Sequence, residues 1–166
     1  MGGGILPVAY HNNNIYLFFG RETLMTKGKQ SGLWSDFGGS KEGNETTYDT
    51  AIREGHEETS GILGNIKRIK YLVDKKLITT IKYNGYASYL IAIKYNKELP
   101  NKLRHKFLRA NTNDILEHNG LYEKDMGKWI NIKYLIKHIK KFRPWYKRIV
   151  YAILRQRNTI IDYFNK

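Results

Sequence analysis

Cysteine is absent from the 166 residues, which excludes disulfide staples, thiolate metal sites and cysteine nucleophiles. Long apolar runs are missing too, and no stretch approaches the ~20 residues that span a bilayer. The start, Met1-Gly2-Gly3-Gly4, lacks the basic and apolar regions of a secretory signal. Leu6 stands where a myristoylation signal wants Ser or Thr. The expectation is a soluble intracellular, cytoplasmic protein. Acid is scarce: 15 Asp and Glu face 29 Lys and Arg, for a net charge of +14. From Lys124 to Lys166 twelve basic residues meet only two Asp. Such a field attracts polyanions, whether nucleic acid, phosphorylated small molecules or an anionic surface.

The chain length suits one domain with its own core, and we take 1–166 as that domain, with 143–166 as a helical extension packed on it. Ile5–Tyr10 and Ile15–Gly20 read as strands joined in a hairpin. Leu33–Phe37 reads as a short strand and Glu45–Thr59 as a helix stopped near Gly61. Ile66–Asp74, Leu77–Tyr83 and Tyr86–Tyr95 are rich in β-branched and aromatic residues and read as strands. Pro100–Arg109 reads as a short helix and Lys128–Ile132 as a strand. Asn131–Lys140 and Pro144–Phe164 read as helices, with Pro144 at the first helical position. This order predicts an α/β (α+β) sandwich: a mixed sheet between helices, with extra C-terminal helices.

Against the basic background, Gly38 to Gly61 holds five Glu and one Asp. On a helix Glu54, Glu57 and Glu58 share one face. Glu54 and Glu58 are like charges at i, i+4, a destabilising choice. Crowded carboxylates raise one another's pKa unless a cation neutralises them, and hard oxygen donors of this kind suit Mg²⁺ or Mn²⁺. Arg53 stands i, i+4 from both Asp49 and Glu57 and two turns from Glu45, the place of a tether for the carboxylates. Ala51, Ile52 and Gly55 form the flank that faces the sheet. Gly38-Gly39 permits close approach of backbone to a ligand.

These residues carry a resemblance. Gly39, Glu45, Arg53, Glu54, Glu57 and Glu58 stand in the register of the Nudix box, and the run Trp34-Ser35-Asp36-Phe37 leads into it as in that family. The sequence departs from the box at Gly55, where the family prefers an apolar residue. It departs again at Ser60, which sets the closing Gly61-Ile62 one position late. The resemblance implies an α/β/α sandwich that hydrolyses a diphosphate linked to another group. It also implies Mg²⁺ or Mn²⁺ on Glu54, Glu57 and Glu58, with the Gly39 carbonyl as a further ligand. Glu54 or Glu57 could be the general base, or an acid of a later loop, where Glu98, Asp114, Glu117, Glu123 and Asp125 lie. Glu123 is preferred and Glu117 comes second, because Glu123-Lys124 before Trp129 resembles relatives.

For the substrate, Tyr10, Tyr16, Phe18 and Phe19 either stack a base or fill the core, and Arg21 is placed to grip phosphate with two bonds. Lys133, Lys137, Lys140 and Lys141 recur as one helix face that Arg143 extends, read as an RNA-tracking patch or a solvated face. Capped or 5′-modified RNA is slightly preferred as substrate. Small nucleotides (an oxidised dNTP, a dinucleoside polyphosphate, ADP-ribose) and inositol pyrophosphates are alternatives. A non-catalytic nucleotide- or RNA-binding module is the alternative of another class. The Arg143-Pro144-Trp145 segment is similar to versions in large DNA viruses.

Overall fold

The structure, a computed structural model, describes residues 1–25, 28–110 and 122–166. Asp114 and Glu117 lie outside them. Strands β1 (Gly2–His11) and β2 (Asn14–Glu22) form a hairpin. Its two-residue turn, Asn12-Asn13, holds both residues at positive φ, 46° and 58°, the geometry that matches strand twist and that Asn tolerates. Strands β3 (Trp34–Ser35) and β4 (Phe37–Ser40) lead into helix α1 (Thr47–Glu58). Helix α2 (Ile66–Lys75) precedes a second hairpin, β5 (Leu77–Tyr83) and β6 (Tyr86–Ala92). Helix α3 (Leu99–Leu108), strand β7 (Lys124–Asn131), two 3-10 turns, and helices α4 (Tyr146–Arg155) and α5 (Arg157–Phe164) complete the chain.

The sheet runs β3-β2-β1-β6-β5, with β4 on β1 and β7 on β2. Only the β1–β6 pairing is parallel among the described strands. Alternation along a strand sends neighbours to opposite faces, and both faces here are apolar. Ile5 and Phe18 join Phe37, Ala51, Ile52, Ile69 and Leu103 under α1, α2 and α3. Leu6, Leu17 and Phe19 join Phe142, Tyr146, Ile149 and Ile153 under the C-terminal helices. Helices therefore cover both faces of one mixed sheet. Among the described residues no helix is long and apolar enough to cross a membrane.

Three elements differ from the sequence reading. Ile66–Asp74 is the helix α2, not a strand. Its buried residues, Ile69, Leu72 and Val73, fall at i, i+3 and i+4, and the Asn65 side chain caps it by accepting from the Arg68 amide at 3.0 Å. Periodicity and cap outweigh the β-branched composition. Where the sequence predicts a helix over Asn131–Lys140, Asn131 ends β7 and Ile132–Tyr134 and Ile136–Lys141 form 3-10 turns. Ile136–Lys141 buries no side chain fully, so no apolar stripe stabilises an α-helix there. The single helix expected over Pro144–Phe164 starts at Tyr146 and breaks at Gln156, whose side chain is tied to Thr79 Oγ1 at 2.8 Å.

Helix α1 ends in a hydrogen-bond pattern that explains the late glycine. The Gly61 amide donates to the His56 carbonyl at 3.1 Å and the Ser60 amide to the Glu57 carbonyl at 2.9 Å. This is a Schellman-type stop, whose left-handed residue is usually glycine. Here it is Ser60, at φ 50°, with Gly61 following at φ 70°. Its Oγ is buried with no hydrogen-bond partner among the described residues. Ser60→Gly removes both penalties and is expected to stabilise the protein by about 1 kcal/mol. Thermal melting should rise by about 2–4 °C. An unchanged or lower midpoint would show that the helix end carries no strain.

Candidate active site

Helix α1 starts at Thr46, whose side chain accepts from the Asp49 amide while Asp49 returns a bond to the Thr46 amide. This capping box occupies Asp49, so Arg53 does not pair with it. Arg53 reaches Glu45 instead, with Nε on Oε1 at 2.8 Å and Nη2 on Oε2 at 3.1 Å. Its remaining donors go to Glu54 at 3.0 Å, Glu57 at 2.9 Å and the Ser40 carbonyl at 3.0 Å. One guanidinium thus ties the helix start, the β4 end and two carboxylates together. These contacts push Arg53 above its ordinary pKa, and the bonds from Arg53 hold Glu45 down at about 2.

The other flank of the helix packs tightly on β1 and β4. A Cβ at Gly55 would come 2.8 Å from Ile5 Cδ1, which accounts for glycine where the family prefers an apolar residue. A Cβ at Gly39 would meet Glu54 Oε1 at 2.4 Å. Glycine there makes the room in which the Glu54 carboxylate lies.

Glu54, Glu57 and Glu58 line a cleft of about 580 Å³ together with Glu22, Glu123, Arg143 and the Gly38-Gly39 backbone. Glu58 is buried and accepts from the Gly38 amide. One carboxylate oxygen each from Glu22, Glu58 and Glu123 lies within 4.8 Å of the others. Burial, with repulsion from Glu57 and Glu123, lifts Glu54 to about 7 against the pull of Arg53. Burial also raises Glu58 well above the carboxylate range, against the pull of Lys124 and with Glu22, Glu54 and Glu123 adding to the rise. Burial thus makes these carboxylates hold their negative charge poorly, even with the cations around them. Crowded, partly buried all-oxygen donors fit a hard divalent cation.

Besides Arg53, two further cations bear on these carboxylates, and the sequence reading missed one and misplaced the other. The Lys124 ammonium is fully buried between Glu22 and Glu58, 3.3 Å from the latter, and bonds Ser35 Oγ at 3.0 Å. Burial pulls its pKa down, but Glu22 and Glu58 outweigh burial and raise it, so it stays charged. Arg143, expected on an outward RNA patch, lies on the cleft wall and pairs with Glu22 at 3.0 Å. Glu22 reaches both cations because the β2–β7 register shifts between Arg21 and Glu22, the local kink that re-aims a side chain. Pairing between residues about a hundred positions apart leaves no periodic mark in the sequence.

Other expected contacts lie elsewhere. Arg21 does not face the cleft: its guanidinium is held by Asp125 in two bonds of 2.8 and 3.0 Å. Phe19 is fully buried against Phe142 and Tyr146, so it fills the core and stacks no ligand. Tyr10 sits by the hairpin turn, bonded to Asn13 and stacked on Phe164, at the opposite end of β1 from the strand's pairing with Gly39. Lys133, Lys137, Lys140 and Lys141 are exposed on the 3-10 turns. Glu123, by contrast, lies in the cleft. His56 bonds the Gly64 carbonyl at 3.1 Å and takes no part in the cluster.

The fold is that of the Nudix hydrolases. RenU, a Nudix hydrolase of M. smegmatis, superposes with a TM-score of 0.54 at 13% identity, covering 99% of this chain and 90% of that one. C. elegans Ap4A hydrolase superposes at 0.58 and 14% identity, covering 98% of each. A bifunctional NMN adenylyltransferase/ADP ribose pyrophosphatase of Francisella tularensis gives 0.52 at 20% identity, over 93% of this chain and 41% of that one. In sequence, the chain is 30% identical over 164 residues to an uncharacterized protein of Acanthamoeba polyphaga mimivirus. That match covers 97% of this chain, which spans 44% of the relative's length. No family model matches the chain.

Proposed function

We propose that the chain is a divalent-metal-dependent pyrophosphohydrolase that cleaves a nucleoside-diphosphate-linked substrate. The observation that carries this reading is the convergence of Glu54, Glu57, Glu58 and Glu123 on one cleft around an arginine-braced helix. Glu54, Glu57 and Glu58 are the residues that would hold Mg²⁺ or Mn²⁺, with the Gly39 carbonyl as a further ligand. Such an ion would offset the charge of the diphosphate and stabilise the charge that builds as the P–O bond breaks. Arg53 fixes Glu54 and Glu57 before any ligand arrives, so little reorganisation is left for the reaction itself. Glu123, in the same cleft, is the carboxylate base that accepts the proton of the attacking water, a role that contributes typically 10²–10⁴-fold. Arg143 supplies a fixed positive charge to the departing phosphate.

The exposed lysines 133, 137, 140 and 141, close in sequence to Arg143 in the cleft wall, favour a second reading in which the substrate is the modified 5′ end of an RNA. A substrate panel tests both. ADP-ribose, dinucleoside polyphosphates, oxidised dNTPs, inositol pyrophosphates and 5′-modified RNA would each be supplied with Mg²⁺ and with Mn²⁺ and their products identified. We expect metal-dependent scission of a diphosphate bond and no turnover in a chelator. Affinity for RNA that falls steeply between low and moderate salt supports the RNA form. A protein that binds these ligands and releases no phosphate product is a binding module instead.

A further inference from the structure

Beside the acidic cleft lies a second cavity of about 300 Å³ that the reaction outlined above does not use. The two share Gly38, Gly39, Ser40 and Arg143 as a common wall, so a ligand whose phosphates lie in one can reach the other. The chemistry of the second cavity is the opposite of the first. Tyr83 and Tyr86, at the two ends of the β5–β6 turn, and Trp145 supply its aromatic surface, and no carboxylate lines it among the described residues.

The aromatic groups are held in place. Tyr86 donates its hydroxyl to Asp36 Oδ1 at 2.8 Å, and its ring meets Trp145 at 4.8 Å between centroids, edge to face. Trp145 in turn packs on Tyr146 at 5.4 Å. The wall beneath is glycine of necessity, since a Cβ at Gly38 would lie 2.2 Å from the Tyr86 hydroxyl. Arg143 stands at the border of the two cavities, tied to Glu22 and to Gln30, with its Cζ 5.5 Å from the Trp145 ring centroid. Among the described residues its Nη2 makes no hydrogen bond, which leaves a donor for a phosphate or ring oxygen.

We propose that this cavity binds the heterocycle of the substrate and that it selects an uncharged nucleobase. The proposal deepens the pyrophosphohydrolase reading and rests on it for the position of the diphosphate. Rigid aromatic side chains offer a base its best non-polar contact. An inositol polyphosphate has no ring face to offer, and among the described residues the cavity has one cationic side chain for its many charges. A cavity of this volume is at the lower limit of small-molecule sites, so it holds one ring system. A cationic ring, such as 7-methylguanine, is disfavoured because no carboxylate awaits it and the Arg143 guanidinium already covers Trp145.

Calorimetry on the full chain with Mg²⁺ tests this without turnover. The probes are the methylene-bridged diphosphates of adenosine, guanosine and 7-methylguanosine, with methylenediphosphonate as the base-free control. We expect the adenosine or guanosine analogue to bind at least about ten-fold more tightly than the control, the scale of one stacked base. Trp145→Ala should remove most of that advantage and leave the control unchanged. Tyr83→Ala, at the rim of the hairpin, should reduce it in the same sense and serves where the tryptophan variant does not fold. Equal binding of base-bearing and base-free ligands by the wild type overturns the proposal, as does tighter binding of the 7-methylguanosine analogue than of the guanosine one. Base-dependent binding in a protein without turnover upholds the pocket and defeats the hydrolase reading. Turnover with base-independent binding does the reverse.

Discussion

Glu57→Gln is expected to lower kcat by about 10³-fold, the scale of losing one preorganised electrostatic contact to the transition state, while the fold is retained. The exchange keeps size and shape and removes only the charge. Its structural consequence is small because Glu57 is partly exposed and pairs with Arg53 alone among the described residues. Pairs of this exposure contribute about 1 kcal/mol or less. Arg53 also keeps its two bonds to Glu45 and its bond to the Ser40 carbonyl. Turnover, the melting midpoint and calorimetric Mg²⁺ uptake should therefore separate: the first and last fall, the second stays. A variant that turns over at the wild-type rate would place the metal elsewhere and remove the box helix from the chemistry.

Lys124→Met should produce the largest loss of stability. The ammonium is fully buried and stands between Glu22 and Glu58. Its removal leaves two carboxylates facing each other in a site that already disfavours charge. Breaking one side of a buried pair costs about 3–5 kcal/mol, which lowers the melting midpoint by roughly 6–20 °C for a chain of this length. The effect has a pH signature. Without the lysine, the folded-state pKa of Glu58 rises further above its unfolded value. The folded variant then binds protons more readily than the unfolded one, and its stability increases as pH falls through that pKa. The deficit against wild type should be greatest at neutral and alkaline pH and shrink in acid. Adding Glu22→Gln should recover part of it. A deficit independent of pH would mean that lost packing, not stranded charge, is responsible.

The acidic helix is legible in the sequence because its chemistry is local. Glu54, Glu57 and Glu58 declare themselves by spacing, and their brace, Arg53, is within one turn. Even here the partner of Arg53 depends on a competing demand. Asp49 is consumed by the helix cap, and Glu45 takes its place. The strands of the first hairpin are legible for the same reason. Helix α2 carried a readable i, i+3, i+4 pattern beneath a β-branched composition, and the composition misleads. Phe19 and Tyr10 show the limit of residue type alone: an aromatic in a strand reveals neither which face it takes nor which end of the sheet it occupies. Glu22, Lys124 and Arg143 are hidden for a different reason. They meet only because β2 pairs with β7 across a register shift and because the segment at Phe142 bridges to Trp34.

Those three residues have a consequence for the whole molecule. Glu58, Lys124, Glu22 and Arg143 stand in a row of alternating sign, each within 3.3 Å of the next. The row begins on the box helix, crosses the two paired strands and ends in the segment that launches the C-terminal helices. A displacement at either extremity unbalances every charge between them. Helices on opposite faces of the sheet, with no side-chain contact required of one another, are thus made to keep a common position by a string of ions threaded through the strands that divide them.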